Sequence, residues 1–365
     1  MYCMDEANSL SNSVTKLAER LGCKWEAIDK ARSDAMVARV KLRDLVNNPG
    51  DRVLSDGCSV VVFGSVARGE KTSGSDIDWS LLIDGPVDPE HRSVLHLIEN
   101  GIQDTFKSPD PAGSFGEMVF SHDIIHQIGG QKDTNSNITR RILLLSESCA
   151  IGSSEAYDRV LRSVLKRYLE DDVSRTKGSS KRQYNIPRFL LNDVVRYWRT
   201  MAVDYAHKRR ARAGLGWATR NVKLRFSRKL IFVSGMLTCF SCHLDPMKED
   251  GRNLCGQSEI QLSTVNHLME YTQMSPLEVL AEALLKYASD ETARDAMGAY
   301  DEFLGCIDDG GKRKHLDSLD PELSDADPLF QEMRKQSHGF QESLTKLFFD
   351  EYDELRVLTR KFGVF

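Results

Sequence analysis

Residues 60–83 read Val-Val-Val-Phe-Gly-Ser-Val-Ala-Arg-Gly-Glu-Lys-Thr-Ser-Gly-Ser-Asp-Ile-Asp-Trp-Ser-Leu-Leu-Ile, and this stretch decides the fold. An apolar, β-branched run ends in Gly-Ser, a turn-rich connection follows, and a second apolar run begins with Asp-Ile-Asp. Residues two apart in a strand share a face, so we expect Asp76 and Asp78 to point the same way. Ile77 and Trp79 then point into the protein. The stretch predicts two strands joined by a polar connection, with paired carboxylates at the start of the second strand.

The polar residues of this stretch favour a metal ion and a phosphate group. Two adjacent carboxylates repel each other unless cations neutralise them, and Mg²⁺ is commonly held by one or two carboxylates together with substrate phosphates. Gly64 lets the backbone approach a ligand closely. Ser65 offers a hydroxyl at the start of a short helix whose N–H groups favour an anion. The pattern therefore predicts a phosphate cradle facing a metal-binding strand, which is suited to phosphoryl or nucleotidyl transfer.

The motif resembles that of the DNA polymerase β-type nucleotidyltransferase superfamily, which has an apolar strand, Gly-Ser, a spacer and Asp-x-Asp. Gly64-Ser65 and Asp76-Ile77-Asp78 occupy those positions. The flanking Gly-Ser-x-Ala-Arg-Gly-Glu and Ser-Asp-Ile-Asp are most similar to the bacterial branch that includes the N-terminal domain of protein-PII uridylyltransferases. The resemblance implies an enzyme that moves a nucleoside monophosphate from a nucleoside triphosphate to an acceptor hydroxyl.

The resemblance also implies roles for individual residues. Three carboxylates are implied as catalytic ligands of Mg²⁺ or Mn²⁺: Asp76, Asp78 and Glu117. Glu117 is chosen because it is the acid inside the third predicted strand. Three residues of the cradle are implied as nucleotide contacts: Gly64, Ser65 and Arg68.

A second group of candidate residues lies in a stretch rich in cations, between Lys208 and Lys229, that contains no acid. A helix over residues 220–237 would place Arg225, Arg228 and Lys229 along one flank of an apolar stripe. In several branches of the superfamily a helix of the second domain sends basic residues to the triphosphate, and arginine grips phosphate oxygens with two donors. We therefore expect Arg225, Arg228 and Lys229 to bind the nucleotide.

Composition places the chain among soluble globular proteins. It has 365 residues, enough for two domains, with 28% charged and 41% hydrophobic residues and a net charge of −5. The sequence shows no apolar run long enough to cross a membrane and no visible secretory signal, so we expect a cytoplasmic protein. Cys239-Phe-Ser-Cys242-His243 has the form of half a zinc site, but no second pair lies nearby, so free thiols are predicted.

The predicted fold is an α/β nucleotidyltransferase domain, with a small mixed sheet and helices, followed by an all-helical C-terminal domain. The first domain takes residues 1–170, a charged, Ser-rich linker takes residues 171–184, and the helical domain takes residues 185–365. Within the first domain we expect strands at 58–63, 77–83 and about 116–121, and a helix from Pro89 to about Phe106.

Two further segments of the first domain are predicted to be helical. Residues 5–48 carry apolar positions at helical spacing, and these are Leu17, Leu21, Trp25, Ile28, Met36, Val40 and Leu45. Residues 122–152 read as helix, loop and helix, with a leucine-rich second helix that continues to Ser148.

The acceptor is left open among three classes: a protein hydroxyl, an RNA 3′ end or a second nucleotide. A different class of function is a nucleotide-binding regulatory or antitoxin-like protein that keeps the fold without turnover. The intact Asp76-Ile-Asp78 argues against that loss.

Overall fold

The computed structural model describes residues 13–47, 56–86, 88–106, 115–170, 186–211, 215–245 and 257–363. The chain divides into two compact units. The first, here called the helical unit, comprises Met1–Asp29, Met201–Phe240 and Pro276–Phe365. The second, here called the sheet unit, comprises Lys30–Thr200 and Ser241–Ser275. The predicted linker at 171–184 lies outside the described residues, and none of the described helices combines the length and apolarity needed to span a membrane.

The sheet unit contains one mixed sheet of four strands. In chain order the strands are β1 (Cys58–Phe63), β2 (Asp78–Ile83), β3 (Met118–Phe120) and β4 (Ser148–Ile151). Their order across the sheet is β3-β2-β1-β4. β1 pairs antiparallel with β2 and β4, whereas β2 and β3 are parallel. The three predicted strands are confirmed, and β4 occupies a segment for which the sequence pattern predicts the end of a helix.

Helices form most of the other described residues, in both units. In chain order they are α1 (Ser13–Leu21), α2 (Glu26–Asn47), α3 (Gly64–Arg68), α4 (Glu90–Thr105), α5 (Ser121–Ile125), α6 (Asn135–Ser146), α7 (Glu155–Glu170), α8 (Arg188–Ala211), α9 (Trp217–Lys223), α10 (Lys229–Leu244), α11 (Gln257–Thr272), α12 (Pro276–Tyr287), α13 (Asp290–Asp308), α14 (Gly310–Ser318), α15 (Pro328–Phe349) and α16 (Asp353–Leu358). A π-helical turn over Leu224–Arg228 joins α9 to α10. The predicted fold class, a small mixed sheet with helices and a largely helical remainder, is confirmed.

The two central strands, β1 and β2, are buried on both faces, and nearly all of their residues are apolar. Every residue of β1 is buried, and on one face the side chains of β1 and β2 form a core with α2 and α4. On the opposite face the backbone N–H of Tyr157, in α7, donates to Ser59 Oγ at 3.2 Å. Phe63 pairs with Asp78 across the two strands, so the end of β1 meets the start of β2.

The predicted helix at 5–48 is two helices within the described residues, which begin at 13. α1 ends at Gly22, whose φ of +62° is the left-handed conformation that favours glycine at a helix end. In α2, Met36 and Val40 are exposed, so their predicted inward position is wrong. Alanines take the inward positions instead, because small side chains let the helix approach its neighbours closely. The buried residues of α2 are Ile28, Ala31, Ala35, Ala38, Leu42 and Val46.

Candidate active site

The two carboxylates of the Asp-x-Asp motif lie at the start of β2. Asp78 is the first residue of the strand and Asp76 lies two residues before it. Ile77 and Trp79 are each 1% exposed, whereas both aspartates are half-buried. The buried positions of Ile77 and Trp79 are as predicted, and the alternation leaves the aspartates on the other side of the chain.

Gly64 brings the end of β1 directly against the carboxylate of Asp78. Its φ is +68°, and a Cβ built on it would lie 2.8 Å from Asp78 Oδ2 and 3.7 Å from Asp78 Cγ. A methyl group there would force the Asp78 carboxylate to move, because atoms at that distance overlap. The Gly-Ser turn and the aspartate pair, which are separated in sequence, therefore form one site around the Phe63–Asp78 pair.

A cluster of hydroxyl groups connects the turn to the loop that precedes Asp76. Ser65 Oγ donates to Ser75 Oγ at 3.0 Å. Ser75 Oγ also accepts from the backbone N–H of Thr72 at 3.0 Å and lies 3.1 Å from Thr72 Oγ1. These bonds fix the position of the Ser65 hydroxyl relative to the aspartate pair. Ser75 and Thr72 are not among the residues predicted from the sequence, although Ser75 is part of the Ser-Asp-Ile-Asp motif.

An arginine of α2 holds the other end of α3. Arg39 Nε donates to the carbonyl oxygen of Val66 at 3.0 Å, and its Nη2 donates to that of Ala67 at 2.5 Å. Carbonyl groups in the last turn of a helix lack partners within the helix, so a cationic donor stabilises them. Arg39 thus fixes the short helix that follows Gly64, and no local sequence signal identifies it.

Arg68, predicted as a phosphate contact, forms ion pairs with two carboxylates. Its Nε lies 2.8 Å from Glu70 Oε2, and its Nη1 contacts Glu147 Oε2. The side chain of Arg68 is only 11% exposed, and both glutamates are buried. This pairing joins α3 to the residue after α6. We therefore do not include Arg68 among the proposed phosphate contacts.

Glu117, the predicted third carboxylate, lies immediately before β3. Its side chain is 59% exposed and its Oε2 accepts from Arg140 Nη2 at 3.0 Å. In the part of the chain that the structure describes, no three His, Cys, Asp or Glu side chains form a group that could hold a metal ion. The structure therefore does not bring Glu117 together with Asp76 and Asp78 as one set of ligands, and its catalytic role stays a prediction.

The predicted basic residues lie in the helical unit, at the junction of α9 and α10. Arg225 and Arg228 belong to the π-helical turn, and Lys229 is the first residue of α10. Arg228 is exposed and its Nη1 lies 3.1 Å from the sulfur of Met201. In the same helix Cys239 and Cys242 are buried and form no disulfide with a described residue. The contact of the three cations with a triphosphate stays a prediction.

Replacing Gly64 by Ala tests the close approach to Asp78. The new methyl group displaces the Asp78 carboxylate, and the left-handed backbone adds strain of about 1–3 kcal/mol. We expect a loss of catalytic rate on the order of 10²-fold, because such displacements of reacting groups have that effect. Gly129→Ala is the matched control in the same unit, since its φ is +72° and nothing lies within 4 Å of the added Cβ. Equal rates for the two variants would contradict the assignment.

The comparison with known families agrees with this geometry. Residues 51–109 match the model of a family described as a nucleotidyltransferase domain. The matched segment includes Gly64, Ser65 and both aspartates, and it is consistent with the polymerase β-type superfamily, so the resemblance is confirmed at that level. It does not distinguish the uridylyltransferase-like branch, which stays a prediction. No match was found among the curated proteins.

Proposed function

We propose that this nucleotidyltransferase domain makes the chain a metal-dependent enzyme that moves a nucleoside monophosphate from a nucleoside triphosphate to an acceptor hydroxyl. The observation that carries the proposal is the close approach of Gly64 to the carboxylate of Asp78, where an added Cβ would lie 2.8 Å from Oδ2. This approach brings a turn without a side chain, which a phosphate group can approach closely, next to a pair of carboxylates. The matched domain supports nucleotidyl transfer in general, and the metal, the nucleotide and the acceptor are the proposed details.

The residues present fit Mg²⁺ or Mn²⁺. Asp76 and Asp78 provide oxygen donors only, and Mg²⁺ is typically bound by one or two carboxylates with water and substrate phosphates completing its shell. Such an ion, when bound, neutralises phosphate charge and lowers the pKa of an acceptor hydroxyl. The missing Cβ at Gly64 is part of this fit, because it lets the Asp78 carboxylate lie close to the turn.

The chain's own residues bind and orient the reactants. The Ser65 hydroxyl, which donates to Ser75 in this structure, would redirect its one hydrogen to a phosphate oxygen when the nucleotide binds, and Arg39 keeps α3 in position. Catalysis then rests on alignment and on charge neutralisation rather than on a covalent intermediate with the protein. The acceptor is a protein hydroxyl, an RNA 3′ end or a second nucleotide, and the net charge of −5 argues against a long RNA footprint.

The test uses each nucleoside triphosphate labelled at either the α- or the γ-phosphate, with MgCl₂ and an extract of the source cells. We expect an acceptor to gain the α-label and not the γ-label, with release of pyrophosphate. Asp76→Ala/Asp78→Ala should abolish the transfer. Transfer of the γ-label would indicate a kinase instead. Binding of a triphosphate without release of pyrophosphate would favour the catalytically silent regulatory protein.

A further inference from the structure

Two histidines lie one helical turn apart on α5, the short helix that follows β3. The backbone N–H of His126 donates to the carbonyl oxygen of His122 at 3.0 Å. His126 has helical dihedral angles, with φ of −82° and ψ of −13°. Residues four apart on a helix share a face, so both imidazole rings leave α5 on the same side.

The two rings lie next to each other on the surface. Their centroids are 5.0 Å apart, and their planes are tilted by 37°. Both residues are exposed, and among the described residues neither ring has a hydrogen bond or an ion pair. The buried residue of α5 is Ile124. Packing into the core therefore does not account for the position of the two rings.

The separation of the rings matches that of two histidines bound to one metal ion. In a tetrahedral site with metal–nitrogen bonds of about 2.0–2.1 Å, the centres of two ligating imidazole rings lie about 5 Å apart. Two histidines four residues apart on a helix are also a recurring arrangement in zinc sites. Imidazole nitrogen suits Zn²⁺, Ni²⁺ and Cu²⁺, whereas Mg²⁺ selects oxygen donors. The helix thus holds the rings at the separation that such an ion requires.

We infer that His122 and His126 form a binding site for a divalent transition-metal ion of the Zn²⁺, Ni²⁺ or Cu²⁺ class. The two imidazoles fill two coordination positions. The part of the chain that the structure describes adds no third His, Cys, Asp or Glu to this pair, so water or a donor from another molecule completes the shell. An ion with open positions is accessible to a further ligand.

This site is separate from the aspartate pair of the candidate active site. α5 begins directly after Phe120, which pairs with Ile83 at the end of β2. Asp78 is the first residue of β2, so about 16 Å of strand separates the two ends. The donors also differ, since the aspartates provide oxygen and the histidines provide nitrogen. The inference therefore does not depend on the proposed function.

Calorimetry of the full chain, without an affinity tag, tests the site with ZnCl₂, NiCl₂ and CuCl₂. We expect saturable binding that weakens at least tenfold in His122→Gln and in His126→Gln, with Cu²⁺ bound more tightly than Ni²⁺ or Zn²⁺. His96→Gln is the matched control, because it removes one exposed imidazole from α4 in the same unit and should bind like the wild type. Absence of binding, or equal affinity in all four proteins, would overturn the inference.

The number of nitrogen ligands provides a second measurement. With less than one equivalent of Cu²⁺, electron paramagnetic resonance should show two imidazole nitrogens in the wild type and one in either variant. An unchanged nitrogen count in His126→Gln would contradict the assignment.

Thermal unfolding separates metal binding from a merely structural role. A bound ion stabilises the folded state, so ZnCl₂ should raise the midpoint of the wild type and not that of the two variants. Without metal the three midpoints should agree, since both histidines are exposed. A midpoint that falls in the variants and ignores ZnCl₂ in the wild type would overturn the inference. Asp78→Asn should bind the ion like the wild type, so a failure of the proposed transfer activity leaves this result in place.

Discussion

Replacing Asp78 by Asn should lower the rate of nucleotidyl transfer at least about 10³-fold, a loss of about 4 kcal/mol of transition-state stabilisation. Asparagine keeps the size of the side chain but removes the charge that a divalent cation needs beside the substrate phosphates. Asp78 is half-buried at the start of β2, so the fold should tolerate the change. Single-turnover transfer of an α-labelled triphosphate measures the rate, and thermal unfolding verifies the fold.

Two further variants sharpen this experiment. Asp44→Asn makes the same chemical change at an exposed position of α2 in the same unit, and its rate should equal that of the wild type. Glu117→Gln tests the predicted third carboxylate. A loss as large as that of Asp78→Asn would support Glu117 as a metal ligand, whereas retained activity would leave it as the exposed partner of Arg140. An Asp78→Asn enzyme that keeps more than a tenth of the rate would contradict the proposed site.

Replacing Arg141 by Met should destabilise the sheet unit by about 3–5 kcal/mol, the usual effect of removing one partner from a buried ion pair. Arg141 is fully buried in α6. It donates twice to Asp133, at 2.8 and 2.7 Å, and to Asp193, in α8, at 3.1 Å. It also donates to the hydroxyl of Tyr168, in α7, at 2.9 Å. Without the guanidinium group, Asp133 loses its ion pair, and Asp193 keeps only the one to Arg196 at 3.3 Å.

Urea unfolding of Arg141→Met measures this loss as a shift in the transition midpoint. Arg140→Met is the matched control, since the neighbouring arginine pairs with the exposed Glu117 and exposed pairs contribute about 0–1 kcal/mol. The two variants remove the same chemical group from adjacent positions. Equal midpoints would show that the buried network does not stabilise the unit.

A strand is predicted correctly where its own residues indicate an extended backbone. It is missed where only its hydrogen bonds to a neighbouring strand hold it extended. β1 is predicted to the residue because six buried apolar or small residues end at a glycine. β4 has four residues, Ser-Cys-Ala-Ile, directly after a leucine-rich helix, and its extended backbone depends on hydrogen bonds to β1. The inward face of α2 is likewise missed, because alanines rather than Met36 and Val40 face the interior.

The residues of the candidate site likewise fall into two groups, those that a short sequence motif identifies and those whose partners are distant in the sequence. Asp76, Asp78, Gly64 and Ser65 lie within one short motif, so their spacing is enough to identify them. Arg39 acts on a distant segment, and a sequence without the fold does not reveal which backbone groups it contacts. Arg68 shows the opposite error, since its place in the motif indicates a phosphate contact while Glu147, far along the chain, pairs with it.

The central place of β1 in the sheet has a consequence for any attempt to produce the domain as a fragment. A piece restricted to residues 51–109 would contain β1 and β2 and lack β4, which covers the other edge of β1. Six residues that are buried in the full chain would then line an open edge, which recruits further copies by strand pairing. Such a fragment should aggregate, and a soluble one must extend at least through α7, which packs against the sheet.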